Sequence, residues 1–165
     1  MKILIIGTWR ENRIPQFKKK AEEIGKLLAK RRHILITSGG TGISKLVVNS
    51  YKKNKGKRYI AYFPSKKEMK RVGEKIGPKP DQIIQTNRDY PERNILMVKD
   101  CDGIIALCGG LGTLTEVIHA VKDYSKKVSV INQGEFAFWV KSISELKEKV
   151  LLTSDIKQAV INLER

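Results

Sequence analysis

Two glycine-rich turns carry the residues best suited to hold an anion. Ser38-Gly39-Gly40-Thr41-Gly42 follows the apolar run that ends at Thr37, and Cys108-Gly109-Gly110-Leu111-Gly112-Thr113 follows the run that ends at Leu107. Without a Cβ, main-chain N–H groups can approach a phosphate closely, and a helix starting just beyond adds the positive end of its dipole. A single such turn often serves only a tight bend. Two of them, each between an expected strand and an expected helix, point to a phosphate-bearing ligand held between Gly39, Gly40, Thr41 and Gly42 on one side and Gly109, Gly110, Gly112 and Thr113 on the other. Other phosphate-binding signatures are missing. The first turn, Gly7-Thr8-Trp9-Arg10, lacks the GxGxxG of dinucleotide binders, and no GxxxxGK[ST] occurs. Gly7 and Thr8 in that turn are candidate ligand contacts.

Neither metal nor redox chemistry is suggested. Cys101 and Cys108 do not form a CxxC pair. The segment between them reads as a strand, which at ~3.3 Å per residue separates them by roughly 20 Å, beyond disulfide reach. Near a helix N-terminus Cys108 could be an activated thiolate, but a small buried filler is the preferred reading. His33 and His119 are too few and too scattered for a metal cluster and read as structural. No metal and no cofactor are expected.

The elements that must position the glycine turns follow from the hydrophobic pattern. Short apolar runs recur at Ile3–Ile6, Ile34–Thr37, Tyr59–Phe63, Gln82–Gln85, Gly103–Leu107 and Val128–Ile131, with a seventh short strand at Val150–Thr153. Near-continuous apolar runs suggest strands buried on both faces, as in a parallel sheet. Between them lie amphipathic segments with apolar residues at helical spacing: Phe17, Ala21, Ile24, Leu27 and Leu28 behind Pro15; Ile43, Leu46, Val47; Leu114, Val117, Ile118, Val121. A last helix is expected from Ser154. The alternation predicts a Rossmann-like α/β fold: a doubly wound, mostly parallel sheet of six or seven strands with helices on both faces. The chain of 165 residues reads as a single nucleotide-binding domain, 1–165. No stretch approaches the ~18 apolar residues of a membrane span, and Met1–Gly7 reads as the first strand rather than a signal peptide, so a cytoplasmic protein is expected. The segment Gly134–Ser144 is ambiguous, since Phe136, Phe138 and Trp139 could be core or an oligomer contact.

With these elements in place, the chain resembles the LOG family. Tyr90-Pro91-Glu92-Arg93-Asn94, then Asp100-Cys101-Asp102, then Cys108-Gly109-Gly110-Leu111-Gly112-Thr113-Leu114-Thr115-Glu116 carry the likeness. The family has a PGGxGTxxE signature with an arginine some twenty residues before it, and its enzymes are nucleoside 5′-monophosphate phosphoribohydrolases that release a base and ribose 5-phosphate. The resemblance implies that Glu116 and Arg93 are catalytic, that the second glycine turn holds the substrate phosphate, that Asn94 contacts ligand, and that the protein is a homodimer. The chain departs from the family at Cys108 (usually proline), at Asn94 (usually lysine) and at Ser44 (usually methionine). Molybdenum-cofactor carrier-like proteins belong to the same superfamily, so non-catalytic binding of a nucleotide or cofactor is the first alternative. The first glycine turn and Tyr90–Asn94 also resemble DprA-type single-stranded-DNA-binding proteins, the second alternative. Thr113-Leu114-Thr115-Glu116 spells an S/T-x-x-E capping box as well, in which Glu116 would serve only the helix start.

The charge is unusual. Thirty-three Lys and Arg against seventeen Asp and Glu give a formal net charge of +16. Three basic clusters, Lys30-Arg31-Arg32, Lys52-Lys53-Asn54-Lys55 and Lys126-Lys127, each follow an expected helix, where the macrodipole favours cations. In a βα unit those positions lie at the edge opposite the strand carboxyl ends, away from the ligand crevice. They could form a second surface with weak, salt-sensitive affinity for nucleic acid. The cluster Lys66-Lys67-Glu68-Met69-Lys70-Arg71 follows a strand end and is expected to border the crevice.

Overall fold

The computed structural model describes residues 1–73 and 75–165, and of Glu11 only the main chain. Seven strands form one sheet: β1 (Lys2–Ile6), β2 (Ile34–Thr37), β3 (Arg58–Phe63), β4 (Gln82–Gln85), β5 (Gly103–Ala106), β6 (Lys127–Ile131) and β7 (Leu151–Thr153). Their order is β4-β3-β2-β1-β5-β6-β7, and every pairing is parallel. The expected sheet is thus observed, with seven strands, all parallel, among the described residues.

Alternate side chains along each strand feed two separate cores. Ile3 and Ile5 of β1, Leu35 of β2, Tyr59, Ala61 and Phe63 of β3 and Ile105 of β5 face one side. There they meet α1 (Lys18–Lys30), α2 (Ile43–Lys53) and α8 (Ile156–Glu164). Leu4, Ile6, Ile36, Ile60, Tyr62, Ile104 and Ala106 face the other side. Their partners include α4 (Tyr90–Asp100), α5 (Leu111–Lys122), α6 (Gly134–Ser142) and α7 (Ser144–Lys149). Period-two alternation thus gives each face its own apolar layer, as strands buried on both sides require.

Three helices went unread in the sequence: the short α7, which has no side-chain cap, and two capped ones. The capped pair are α3 (Lys66–Val72), where the Ser65 side chain accepts from Glu68 N–H, and α4, capped the same way by Asp89 through Glu92 N–H. Their apolar stripes are too short to mark a period, but both N-caps are legible. The last helix starts at Ile156, two residues later than expected, because Asp155 caps it through Lys157 and Gln158 N–H. In the ambiguous segment, α6 buries Phe136 and packs Trp139 against the core, while Phe138 is 67% exposed. The cluster of three aromatics is therefore not an exposed apolar patch. Among the described residues, no helix is long and apolar enough to cross a membrane.

The chain leaves β1 in one direction to build β2, β3 and β4, then returns to add β5 on the other side of β1. This reversal is the switch point at which the carboxyl ends of parallel strands leave a crevice. Close packing of α1 on α2 fixes the first glycine turn beside it. A Cβ on Gly25 of α1 would lie 2.3 Å from the carbonyl oxygen of Val47 in α2. Gly25→Ala should therefore lower stability despite the better helix propensity of alanine, by about 1–3 kcal/mol for such overpacking. Thermal unfolding checks this; an unchanged or raised Tm would show that the two helices can part without cost.

Candidate functional site

Main-chain geometry brings three turns to the switch point. Thr37 Oγ1 accepts from the N–H of Gly39 at 3.0 Å and bonds the hydroxyl of Tyr59 at 3.0 Å, which fixes the start of the turn after β2. Gly39 and Gly42 both have positive φ, 76° and 72°. Gly42 also admits the turn after β1: its absent Cβ would lie 2.3 Å from the carbonyl oxygen of Thr8, which accepts from Ile43 N–H at 3.1 Å. Replacing Gly42 would displace that turn, and a Cβ on Gly39 would press into the Phe63 ring at 2.5 Å.

The turn after β5 is built differently. Helix α5 begins at Leu111 with Gly110 as an N-cap that offers no side-chain bond. Its first helical bond runs from Leu114 N–H to Gly110 O at 3.0 Å. The N–H groups of Leu111, Gly112 and Thr113 thus have no helical acceptor. This placement overturns the capping-box reading. Thr113 is already the third residue of the helix, and Glu116 is the sixth, a full turn beyond any N3 role.

A cavity of about 510 Å³ opens at the carboxyl edge of the sheet, and most of the expected site residues line it. Gly7 reaches it from β1, Gly40 and Thr41 from the turn after β2, Arg93 and Asn94 from α4, and Gly112, Thr113 and Glu116 from α5. Thr8, Gly39, Gly42, Gly109 and Gly110 do not form its wall. Gly39 and Gly42 shape the turn behind it, while Thr8 and Gly109 line a smaller cavity of about 220 Å³ next to Cys108 and Arg13. Other wall residues lay beyond the sequence reading: Trp9, Val72, Gly73, Lys75 and Tyr90. An exposed tryptophan in the first turn was the one signal available for them. The basic cluster Lys66–Arg71 does not enter the wall; only the residues after it do. Gly77 holds this segment down, its N–H donating to Gly39 O at 2.8 Å.

Helical side chains lean toward their own N-terminus, so Arg93 near the start of α4 and Glu116 in α5 both reach up toward the strand carboxyl edge. Both are buried, Arg93 to 4% exposure and Glu116 to 8%. Nη1 of Arg93 donates to the carbonyl oxygens of Tyr62 at 2.9 Å and Ser38 at 3.2 Å, and Nε donates to Oδ1 of Asn94 at 2.9 Å. The guanidinium also stacks over the ring of Tyr90, 5.1 Å from its centroid. The carboxyl of Glu116 is pushed up to about 7, because burial penalises its charged form and the positive field of Arg93 only partly compensates. A carboxyl in this state ionises within the physiological range, and it lies in a cavity beside a fixed cation. Such groups are found where protons are exchanged or positive charge is stabilised.

The remaining reactive side chains are structural. Cys108 is buried and its thiol is raised by desolvation, so it is not an activated thiolate. Burial pushes Cys101 up to about 12. His33 bonds Glu164 at 2.7 Å and His119 bonds Asp123 at 2.5 Å. Among the described residues, no group of three His, Cys, Asp or Glu side chains could hold a metal.

The raised Glu116 carboxyl has a consequence for stability. Between its unfolded value of 4.5 and its folded value of about 7, the folded chain binds more protons than the unfolded chain. Stability contributed by the neutral carboxyl is therefore present below pH 4.5 and lost as pH rises to about 7. Glu116→Gln removes this loss. The variant should match the parent near pH 4.5 and exceed it above pH 7 by about 3 kcal/mol, or ~6–12 °C in Tm. Unfolding curves at several pH values check this; a stability difference that does not grow with pH would contradict the burial of an ionisable carboxyl.

Comparison with known proteins places this geometry in a family. The chain is 33% identical over 116 residues to a probable cytokinin riboside 5′-monophosphate phosphoribohydrolase of Oryza sativa subsp. japonica, LOG4. That match covers 70% of this chain and 48% of the plant protein, so the chain spans about half the length of that relative. Among solved structures, the molybdenum cofactor binding protein from Rippkaea orientalis superposes with a TM-score of 0.79 at 26% identity, covering 99% of this chain and 93% of that one. DNA processing protein A from Helicobacter pylori shares the fold, with a TM-score of 0.69 at 17% identity, covering 99% and 80%. The family description SLOG cluster4 matches residues 1–160, and the chain belongs to that family.

Proposed function

We propose that the cavity binds a nucleoside 5′-monophosphate and that the protein hydrolyses its N-glycosidic bond, releasing a base and ribose 5-phosphate. The observation that carries this reading is the placement of Glu116. Its carboxyl is buried in the cavity wall, raised to about 7, and shares the wall with Arg93 and the open first turn of α5. The phosphate would seat against the free N–H groups of Gly112 and Thr113, with Gly40 and Thr41 opposite. The ribose then lies between that turn and Glu116. Departure of the base leaves an oxocarbenium-like sugar, which the Glu116 carboxylate stabilises while orienting the attacking water. Arg93 keeps the carboxylate accessible near neutral pH and holds the adjoining turn. The reading includes the homodimer that the family resemblance implies, checked by light scattering.

Gly112 supports the phosphate assignment in its own right. It does not need a left-handed backbone, and a Cβ added to it would meet nothing within 4 Å. Folding therefore does not require glycine there, whereas close approach of an anion does.

A second reading, binding without turnover, rests on how Arg93 is used. One of its terminal nitrogens is occupied by two main-chain carbonyls, and its neighbour is the neutral Asn94 rather than a lysine. A structural neighbour is described as a molybdenum cofactor binding protein. Incubation of the pure protein with a panel of nucleoside 5′-monophosphates separates the two: free base and ribose 5-phosphate support hydrolysis, and saturable binding with no product supports a carrier.

Two substitutions test the site itself. Glu116→Gln should bind nucleotide like the parent but lose base release by about 10²–10⁴-fold, and the parent's rate should rise with pH through a limb near 7. Turnover by the variant at the parental rate would remove Glu116 from the mechanism. Gly112→Ala should keep or raise Tm, by up to about 1 kcal/mol from helix propensity, while weakening nucleotide binding. Undiminished affinity, measured by calorimetry, would move the phosphate away from α5.

A further inference from the structure

The edge of the sheet opposite the cavity holds a second surface. Helices α1 and α2 end there, and β2, β3 and β4, adjacent in the sheet, begin there. Six exposed cations crowd this edge: Lys30, Arg32, Lys53, Lys55, Lys57 and Lys79. None of them makes an ion pair among the described residues, whereas Arg31 is engaged by Glu164 and Lys52 lies 4.0 Å from Asp81. The helix macrodipole explains Lys30 and Lys53 in last turns. It does not explain Lys57 and Lys79, which lie in loops leading into strands.

The backbone supplies an independent observation. Both helices end in the same hydrogen-bond pattern. Arg32 N–H donates to Ala29 O and His33 N–H to Leu28 O after α1; Lys55 N–H donates to Lys52 O and Gly56 N–H to Tyr51 O after α2. In this Schellman arrangement the residue after the cap takes a left-handed conformation, and glycine is its usual occupant. Here Arg32 has φ 57° and Lys55 has φ 56°. At the end of α3, beside the cavity, the chain does place glycine, Gly73, at φ 63°. The chain thus accepts backbone strain at two equivalent positions, and both put a cation on this edge.

We propose that this edge binds double-helical nucleic acid through its phosphates. Three strands at ~4.8 Å spacing span ~10 Å, and the helix layer adds a second row ~10 Å away, a patch roughly 10 Å on a side over whose width a duplex presents about six phosphates. The exposed aromatics of the described chain, Trp9 and Phe138, lie elsewhere, at the cavity and on α6. The patch therefore lacks the stacking platforms that single-strand binders use. Its exposed large apolar side chains are Met1, beside the start of β2, and Ile83 in β4, two separated residues rather than an apolar face to insert among lipids, which weighs against a membrane surface. The surface is independent of the proposed hydrolysis, since it shares no residue with the cavity.

Fluorescence anisotropy with a duplex DNA of about 20 base pairs tests this over 50–200 mM salt. Wild type should bind with a log–log salt slope of about −4 to −5. Arg32→Gly with Lys55→Gly should fold as well as the parent, since glycine relieves both strained positions, and its Tm should hold or rise. That variant should lose about tenfold or more in affinity and about 2 in slope. Lys18→Gln with Lys19→Gln removes the same charge from the first turn of α1, at the other edge, and should leave affinity within about twofold. Four results would overturn the proposal: no duplex binding by wild type at 50 mM salt, equal weakening by the two pairs, tighter binding of a single strand of the same length, or stronger binding to phosphatidylserine vesicles than to duplex.

Discussion

A permanently charged guanidinium buried at the carboxyl edge of the sheet organises the site around it. Arg93 cannot shed its proton, so burial obliges the protein to supply acceptors. It does so with main-chain oxygens of Tyr62 at the end of β3 and Ser38 in the turn after β2, and with the amide of Asn94. These bonds tie α4 to two strand ends on the far side of the sheet's midline. The same cation then sets the state of Glu116. Without its field, burial alone would push that carboxyl higher still. Turn conformation and site electrostatics therefore depend on one side chain, and its loss would leave buried carbonyls unpaired.

The two glycine turns solve different problems. After β2, glycine is demanded by the fold: positive φ at Gly39 and Gly42, and close approach of Gly42 to the turn after β1. After β5 only Gly109 is so constrained, since a Cβ there would lie 2.3 Å from Thr113, whereas Gly110 and Gly112 have open space where a side chain would be. The first turn is a scaffold that the second turn works against. This division also separates the two faces of the molecule's chemistry. The cavity, with Arg93, Lys75 and the single carboxyl of Glu116 in its wall, lies at the strand carboxyl ends, while the six cations without ion pairs lie below β2–β4, a strand's length away. The large positive charge is thus not spent on the small ligand proposed for the cavity.

Much of the fold was legible because it depends on periodicity. Continuous apolar runs gave all seven strands to within a residue or two, and the glycine turns marked the strand ends that meet at the switch point. Helices α3 and α4 were not legible from apolar spacing, since α3 buries no side chain fully and α4 buries only Arg93, Met97 and Val98. The start of α5 was misread by the capping-box alternative because Thr113 and Glu116 satisfy its spacing. The helix instead starts at Leu111 with an uncapped Gly110, which the sequence pattern does not distinguish. Within the site, Arg93 and Glu116 stood out through family resemblance. Trp9, Val72 and Lys75 did not, because the turn after β1 and the stretch from the end of α3 toward β4 bring them to the wall from distant parts of the chain, and no local pattern links them. The sequence showed the charge of Arg32 and Lys55 but not their left-handed backbone, which only the helix ends reveal.

The central claim is that a buried carboxyl beside a buried guanidinium is poised near neutrality in a nucleotide-sized cavity. Titration of the Glu116 carboxyl by ¹³C NMR in the 165-residue chain, assigned by comparison with Glu116→Gln, tests it most directly. The expected midpoint is near 7, in place of the ordinary value of 4.5. A midpoint at the ordinary value would mean that Glu116 is solvated and unremarkable, and the chemistry assigned to it would have no physical basis.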